Sequence, residues 1–466
     1  MSEHTVPLSP PSPLSEPAGA TTDIAGRMER LPTSRWQVKA RVLIGTATFF
    51  DAFDALAIAQ VLPVLVPLWG LSTGQTGLLI SIGYLGQLLG ALLFSAIAER
   101  RGRVVAMVLC ILTFASMSVA CMFAWNVESL LLFRTLQGIG LGGQVPIAAV
   151  YISEITKAHG RGRFVLLYEL VFSVGVVAAG VVGYYVVPHL GWQYMFLAGA
   201  APLLMVYTLR TWLPESPRWL SSVGRHEEAD AAMSHIEDKV AKATGAPLPP
   251  PPPAVPAGRA ADGSSWRELF RPPYLRRTLV VWCIWFGSYL VYYGISTWLP
   301  TLYRTTFDLP LGTSLKYGLI SNCVGFFGAA LCALTIDMLG RKTWFAIALG
   351  GSALCLVLLA LSGVDTPSDV LVFGSGAYFF AAAAAIGVYL YTPELYPTRI
   401  RAIGVGTATA WLRLASMAGP LLIGGLIAHG LPAIFVVFAV VAGAVAIVTV
   451  LFGVETKERV LEEVSP

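Results

Sequence analysis

Twelve long, mostly apolar stretches run along the chain, at about 42–67, 75–98, 104–124, 129–153, 164–186, 192–213, 278–302, 314–336, 343–362, 369–392, 402–428 and 431–453. Each reaches or approaches the ~20 residues that a helix needs to cross a bilayer core. Their apolar character is continuous. Membrane β-strands would instead alternate over about ten residues, so the pattern predicts an all-α integral membrane protein. Three polar segments punctuate it. Residues 1–40 are Pro- and Ser-rich and lack the charged start and apolar core of a leader peptide; a disordered cytosolic tail is expected there. A second polar segment, 214–277, separates one six-span bundle (41–213) from another (278–453), and residues 454–466 form a short tail. The central segment contains a charged, helix-prone stretch from Arg225 to Lys242, and the run Pro249 to Pro253. Five prolines in succession favour a stiff polyproline II spacer.

Composition narrows the class. Only 12% of the 466 residues are charged, about half the ~25% of a soluble domain, which excludes a soluble protein. The six cysteines, Cys110, Cys121, Cys283, Cys323, Cys332 and Cys355, lie in apolar runs without metal-site spacing. They read as small core residues. A net charge of +4 is modest, and its placement explains it better than nucleic acid would. Apart from Arg134, Arg304, Lys316 and Arg413, all 31 basic residues fall on one face when both termini are put in the cytosol. Positive residues gather on the cytosolic side of membrane proteins; contact with anionic lipid is a secondary use.

The halves echo one another at an offset of about 240 residues. Glu99-Arg100-Arg101-Gly102-Arg103 precedes the third span and Asp337-Met338-Leu339-Gly340-Arg341-Lys342 the ninth. Tyr151-x-x-Glu154 ends the fourth span and Tyr391-x-x-Glu394 the tenth; Arg161 and Arg401 follow those glutamates at equal spacing. Glu215 and Glu455 repeat after the sixth and twelfth spans. Such recurrence implies a duplicated six-helix unit, with two parallel bundles related by an axis along the membrane normal. The repeated acids and bases at helix ends suit a cytosolic gate that pairs across the bundles when that side closes. A network of this kind exceeds an isolated surface pair by adding helix-dipole energy.

With these motifs, the chain resembles the major facilitator superfamily over about residues 40–455. The signatures are Glu99 to Arg103, Arg134-x-x-x-Gly138-x-Gly140-x-Gly142 running to Glu154, Pro214-Glu215-Ser216-Pro217-Arg218-Trp219-Leu220, Asp337-x-x-Gly340-Arg341-Lys342 and Glu394 to Arg401. Ser95 and Glu99 stand where the family has Gly and Asp, and a slightly looser latch is expected there. The resemblance implies twelve transmembrane helices in two six-helix bundles, with alternating access.

Ionisable residues inside a membrane cost roughly 2.5–3.5 kcal/mol on insertion scales and mark function by default. Lys316, at the outer edge, can snorkel to the interface. Asp54 lies about 18 Å from the cytosolic start of the first span at 1.5 Å per residue, and Arg134 about 7 Å below the opposite face, so the two can meet. Two readings stand: a proton-coupling pair, released when the carboxylate is protonated, or a permanent structural pair. The resemblance favours coupling, since proton-linked sugar porters carry an Asp and an Arg at the matching places. Asp51 lies one turn earlier on the same face, and Asp51-x-x-Asp54 looks like the first-helix motif of aromatic-acid/proton symporters.

Arg413 sits about 17 Å deep in the eleventh span. Its guanidinium stays charged and matches a carboxylate in bidentate geometry. Its partner is either a carboxylate substrate or an acid across the lumen, namely Asp51, Asp54 or Glu169. Arg413-x-x-Ser416-x-x-x-Pro420 after Tyr396-Pro397-Thr398-x-x-Arg401 resembles the eleventh helix of organic anion transporters, which implies a substrate contact. Trp285, Tyr289, Tyr292 and Tyr293 share one face of the seventh span; they either line a pocket or pack against lipid and neighbours. That segment resembles organic ion carriers and the synaptic vesicle glycoprotein 2 family, and it lacks the paired glutamines of sugar porters.

The expectation is therefore a multi-pass inner (plasma) membrane symporter, not an enzyme, with no cofactor and no nucleic-acid partner, acting as a monomer. It would import a small aromatic or heterocyclic carboxylate, as bacterial niacin and aromatic-acid carriers do, with protons. The expected substrate site is Arg413, Trp285, Tyr289, Tyr293 and Glu169; the proton site is Asp54, Arg134 and Asp51. The expected gate is Glu99, Arg103, Glu154, Arg161, Glu215, Asp337, Arg341, Glu394 and Arg401. A carrier of neutral sugars or organic cations, or a non-transporting receptor with the same bundle, is the alternative.

Overall fold

The computed structural model describes residues 24–32, 34–155, 161–250 and 266–457. Most of the polyproline run, the first residues and the last residues lie outside the described residues. Of the 1–40 tail, residues from 24 onward are helical: α1 (Ile24–Glu29) packs on the body, and α2 (Arg35–Trp69) begins well before the apolar pattern does. The buried Met28, Leu31 and Trp36 supply the reason, since they share an apolar cluster with Met233, Ile236 and Val240 of the central segment.

The first bundle continues with α3 (Thr73–Arg101), α4 (Arg103–Met122), α5 (Val127–Ile155), α6 (Arg161–Leu190), α7 (Gln193–Gly199) and α8 (Leu203–Trp212). The central segment forms α9 (Pro217–Ser222) and α10 (His226–Thr244). The second bundle holds α11 (Tyr274–Thr305), α12 (Leu311–Leu339), α13 (Arg341–Leu361), α14 (Pro367–Asp369) running through a π turn into α15 (Ser375–Glu394), then α16 (Thr398–Leu426) and α17 (Leu431–Phe452).

Among the described residues, ten helices are long and apolar enough to cross a membrane. The other two expected spans differ for separate reasons. α5 is 29 residues long, roughly 44 Å at 1.5 Å per residue, but Arg134, Gln137 and Gln144 lower its apolarity. The stretch 192–213 breaks at Ala200–Pro202 into helices of 7 and 10 residues, because proline cannot continue the backbone ladder. The cysteines also divide: Cys283 is exposed on α11, where a core position was expected, while Cys110, Cys121 and Cys332 are buried.

Packing follows the sequence repeat. α2 against α6 corresponds to α11 against α16, α3 against α5 to α12 against α15, and α4 against α8 to α13 against α17. The bundles meet through α3–α16, α6–α12 and α2–α11. Residues 51–63 of α2 and 287–303 of α11 are buried on every side, so these stretches lie inside the joined bundles.

The repeated polar groups build the same cap twice on the basic face. Glu215 accepts from the backbone N–H of Arg103 at 2.8 Å and of Val104 at 3.1 Å, covering the start of α4. Glu455 accepts from Arg341 and Lys342 at 2.8 and 3.0 Å, covering the start of α13. A carboxylate there satisfies orphan donors and the helix dipole together. Gly102 (φ 108°) and Gly340 (φ 87°) precede these helices, and a Cβ on either would strike the capping carboxylate. Tyr151 and Tyr391 then donate to the carbonyls of Pro214 and Val454 at 2.7 and 2.8 Å.

α1 is held on α10 by charge. Arg27 and Arg30 reach Glu237 at 2.7 and 2.6 Å, and Arg27 also pairs with Asp230. Burial would raise the Glu237 carboxyl, but the hydrogen bonds and charges of the two arginines outweigh it and hold the group below its usual range. A depressed acid stabilises the docked state above its unfolded pKa of about 4.3, and that contribution is lost as pH falls through the lower folded value. Hydrogen exchange across residues 24–31 is therefore expected to stay slow at pH 5 and to accelerate below about pH 4. Glu237→Gln is expected to accelerate it at neutral pH.

Candidate functional site

Asp54 is fully buried at the middle of α2. Its Oδ2 accepts from Gln137 Nε2 at 2.6 Å, and its Oδ1 lies 3.2 Å from the Ser118 hydroxyl. Gln137 Oε1 in turn accepts from Arg134 Nη1 at 2.8 Å, and the same nitrogen reaches the Asp54 backbone carbonyl at 3.4 Å. Asp54 and Arg134 thus belong to one network, with the Gln137 amide between carboxyl and guanidinium. Gly199, at the end of α7, admits this cluster, since a Cβ there would stand 2.2 Å from Asp54 Oδ1.

Ser118 has one hydroxyl hydrogen, and its shorter contact is with the Phe196 carbonyl at 2.8 Å. The same hydroxyl is also placed to donate to Asp54 Oδ1 at 3.2 Å, so the two acceptors share one hydrogen.

A second cluster lies where the bundles face. Arg413 of α16 donates to Gln87 Oε1 of α3. Asp51 is buried, its Oδ1 has no hydrogen-bond partner, and it lies in the electrostatic field of Arg413. Among the described residues no carboxylate lies within ion-pair distance of Arg413. Glu169 of α6 is half-buried and acts electrostatically on Asp51, Tyr289 and Tyr389.

An aromatic column lines the second-bundle side. Trp285 stacks on Tyr289 (centroids 5.6 Å, planes 17° apart), and Tyr289 on Tyr293 (5.9 Å, 25°). Tyr84 of the first bundle meets Tyr293 at 4.9 Å. The Trp285 indole N–H is spent on Thr392 at 2.8 Å and the Tyr289 hydroxyl on the Ala385 carbonyl at 3.0 Å. Both donors are thus spent inside the protein, and Trp285 is wholly covered in this conformation.

Among the described residues, the expected gate charges Arg103, Glu154, Asp337, Arg341 and Glu394 pair inside their own bundle. Arg103 bonds Glu154 at 3.1 Å; Arg341 bonds Asp337 at 2.8 Å and Glu394 at 2.9 Å. Arg401 donates to the Tyr396 carbonyl at 3.2 Å. Glu99 is exposed and supplies its backbone carbonyl to Trp219. The Arg161 side chain lies outside the described residues. The physical reason is that Arg103 and Arg341 each face an acid at the end of a neighbouring helix in their own six-helix unit.

Residues 21–466 match the model for the sugar (and other) transporter family. The chain belongs to that family, within the major facilitator superfamily. This transporter is 35% identical over 444 residues to the niacin transporter of Acinetobacter baylyi, covering 95% of this chain and 99% of that one. It is 28% identical to a synaptic vesicle 2-related protein of Rattus norvegicus, over 98% of this chain and 85% of the relative. Its fold matches the partially occluded inward-open xylose transporter of E. coli with a TM-score of 0.72 at 19% identity, covering 92% and 100% of the two chains. The transporter is accordingly a multi-pass membrane protein.

Sequence reasoning about this transporter missed Gln87, Ser118, Gln137, Tyr84 and Tyr389. Gln137 carried one usable signal, because it lies one turn from Arg134 on the same face of α5. Gln87 had none, as its partner is 326 residues away.

Proposed function

We propose that this transporter imports a small aromatic or heterocyclic carboxylate, nicotinate- or benzoate-like, together with a proton. It works by alternating access through twelve crossings, with both termini in the cytosol, in the plasma (inner) membrane, as a monomer. The observation that carries the reading is the bonding of Arg413: a half-buried guanidinium at the bundle interface whose observed side-chain partner is a neutral amide, with no carboxylate among the described residues paired to it. An always-charged fork of this kind matches a carboxylate, and the neighbouring column of Trp285, Tyr289 and Tyr293 suits a flat ring. The relative named as a niacin transporter supports the same substrate class.

Asp54 takes the proton in this scheme. Protonation removes the charge that accepts from Ser118 and holds Gln137 and, through it, Arg134. Asp51 and Glu169 tune the field around Arg413. The same two acids favour a second reading, an organic cation in the central site. Uptake of labelled nicotinate into proteoliposomes with an inward proton gradient separates the two. Competition by benzoate but not by xylose or tetraethylammonium is expected; competition by the amine with no effect of benzoate overturns the carboxylate reading.

A further inference from the structure

α3 and α16 belong to different bundles, yet they form a continuous seam from the face opposite the basic one to the centre. At its far end a Cβ on Gly424 would stand 2.8 Å from the Thr73 carbonyl oxygen, and one on Gly77 3.0 Å from that of Pro420. Next inward, Ser81 Oγ donates to the Met417 carbonyl at 2.8 Å. The innermost contact is Gln87 on Arg413. α5 fixes the Gln87 backbone from behind, since a Cβ on Gly142 would stand 2.0 Å from the Gln87 carbonyl oxygen. Gln87 is 3% exposed and cannot turn away to water while the seam is shut.

We infer that Gln87 is a release residue: closing the seam carries its amide oxygen onto Arg413, where it competes with the substrate carboxylate. The inference rests on the carboxylate reading above. Arginine has donors only, so the amide must present its oxygen and takes a position that a substrate oxygen would use. The amide bond to the guanidinium is neutral on one side and weaker than a guanidinium–carboxylate pair, so a substrate can displace it when the seam opens. By linkage, the factor by which closure weakens the anion is the factor by which the anion opposes closure. The seam therefore makes the site bind tightly when it faces outward and loosely when it faces inward, with no further charge required.

The test uses full-length protein with Gln87→Leu and Gln87→Glu. Nicotinate and benzoate binding is measured in detergent. Seam distance is measured by electron-spin labels at Gly74→Cys and Gly425→Cys, in a background with Ser at Cys283, Cys323 and Cys355. Gln87→Leu is expected to bind nicotinate about fivefold more tightly and to lengthen the label distances. Gln87→Glu is expected to weaken nicotinate by about tenfold or more, through a full ion pair to Arg413, and to keep the distances short at saturating ligand. Weaker binding by Gln87→Leu would make Gln87 a substrate contact and overturn the inference, as would unchanged distances in both variants. Wild-type protein that binds neither acid overturns the carboxylate reading itself, and the competition with it. Thermal unfolding of each variant identifies any that fail to fold; Gln87→Asn, which keeps the amide but shortens its reach, then replaces Gln87→Leu with the same expected directions.

Discussion

Arg413→Ala is expected to lower uptake of labelled nicotinate at subsaturating concentration by about 100-fold or more. Truncating one partner of a desolvated, hydrogen-bonded charge pair costs roughly 2–5 kcal/mol, and each 1.4 kcal/mol is about tenfold in affinity. Arg413→Lys is expected to recover little, because a point charge lacks the planar fork that engages both carboxylate oxygens. Neither variant removes an ion pair to another helix, since the observed partner of Arg413 is the Gln87 amide. The fold should therefore survive, and a thermal unfolding curve near that of the wild type would accompany the lost uptake. Wild-type uptake by Arg413→Ala would remove the anion from this site.

Asp54→Asn is expected to separate transport from its driving force. One proton carried with a monoanion makes the cycle electroneutral, so a gradient of one pH unit sustains about tenfold accumulation. The variant keeps an oxygen for Gln137 Nε2 but cannot release a proton, so accumulation should fall to the outside concentration. Counterflow, which exchanges labelled for unlabelled substrate without net proton movement, should persist within a few-fold. Retained pH-driven accumulation in Asp54→Asn would place the proton elsewhere, with Asp51 and Glu169 as the remaining acids near the centre.

Much of the architecture was legible because its causes are local. The apolar runs are helix-length, and Gly102 and Gly340 mark the starts of α4 and α13. Their carboxylates, Glu215 and Glu455, recur at one offset, so the duplication was readable even though each cap closes over more than 100 residues. The break at Ala200–Pro202 was not legible: the apolar stretch 192–213 reads as one span and hides two short helices.

The site was legible in its charges and not in its connections. Asp51, Asp54, Arg134 and Arg413 stand out in sequence because a charge in an apolar run is costly wherever it lies. A neutral glutamine carries no such mark. That Gln137 stands between Asp54 and Arg134, and that Gln87 reaches Arg413 across the bundle interface, depends on helices far apart in the chain. The expected gate shows the same division: sequence named its acids and bases, while helix packing pairs Arg103 with Glu154 and Arg341 with Glu394. By itself, then, the sequence determined a duplicated membrane bundle, its charge asymmetry and the few ionisable groups inside it, since solvation energy depends on residue type and spacing. Only the tertiary structure decided which group answers which, because a hydrogen bond acts over about 3 Å and its partners are chosen by packing.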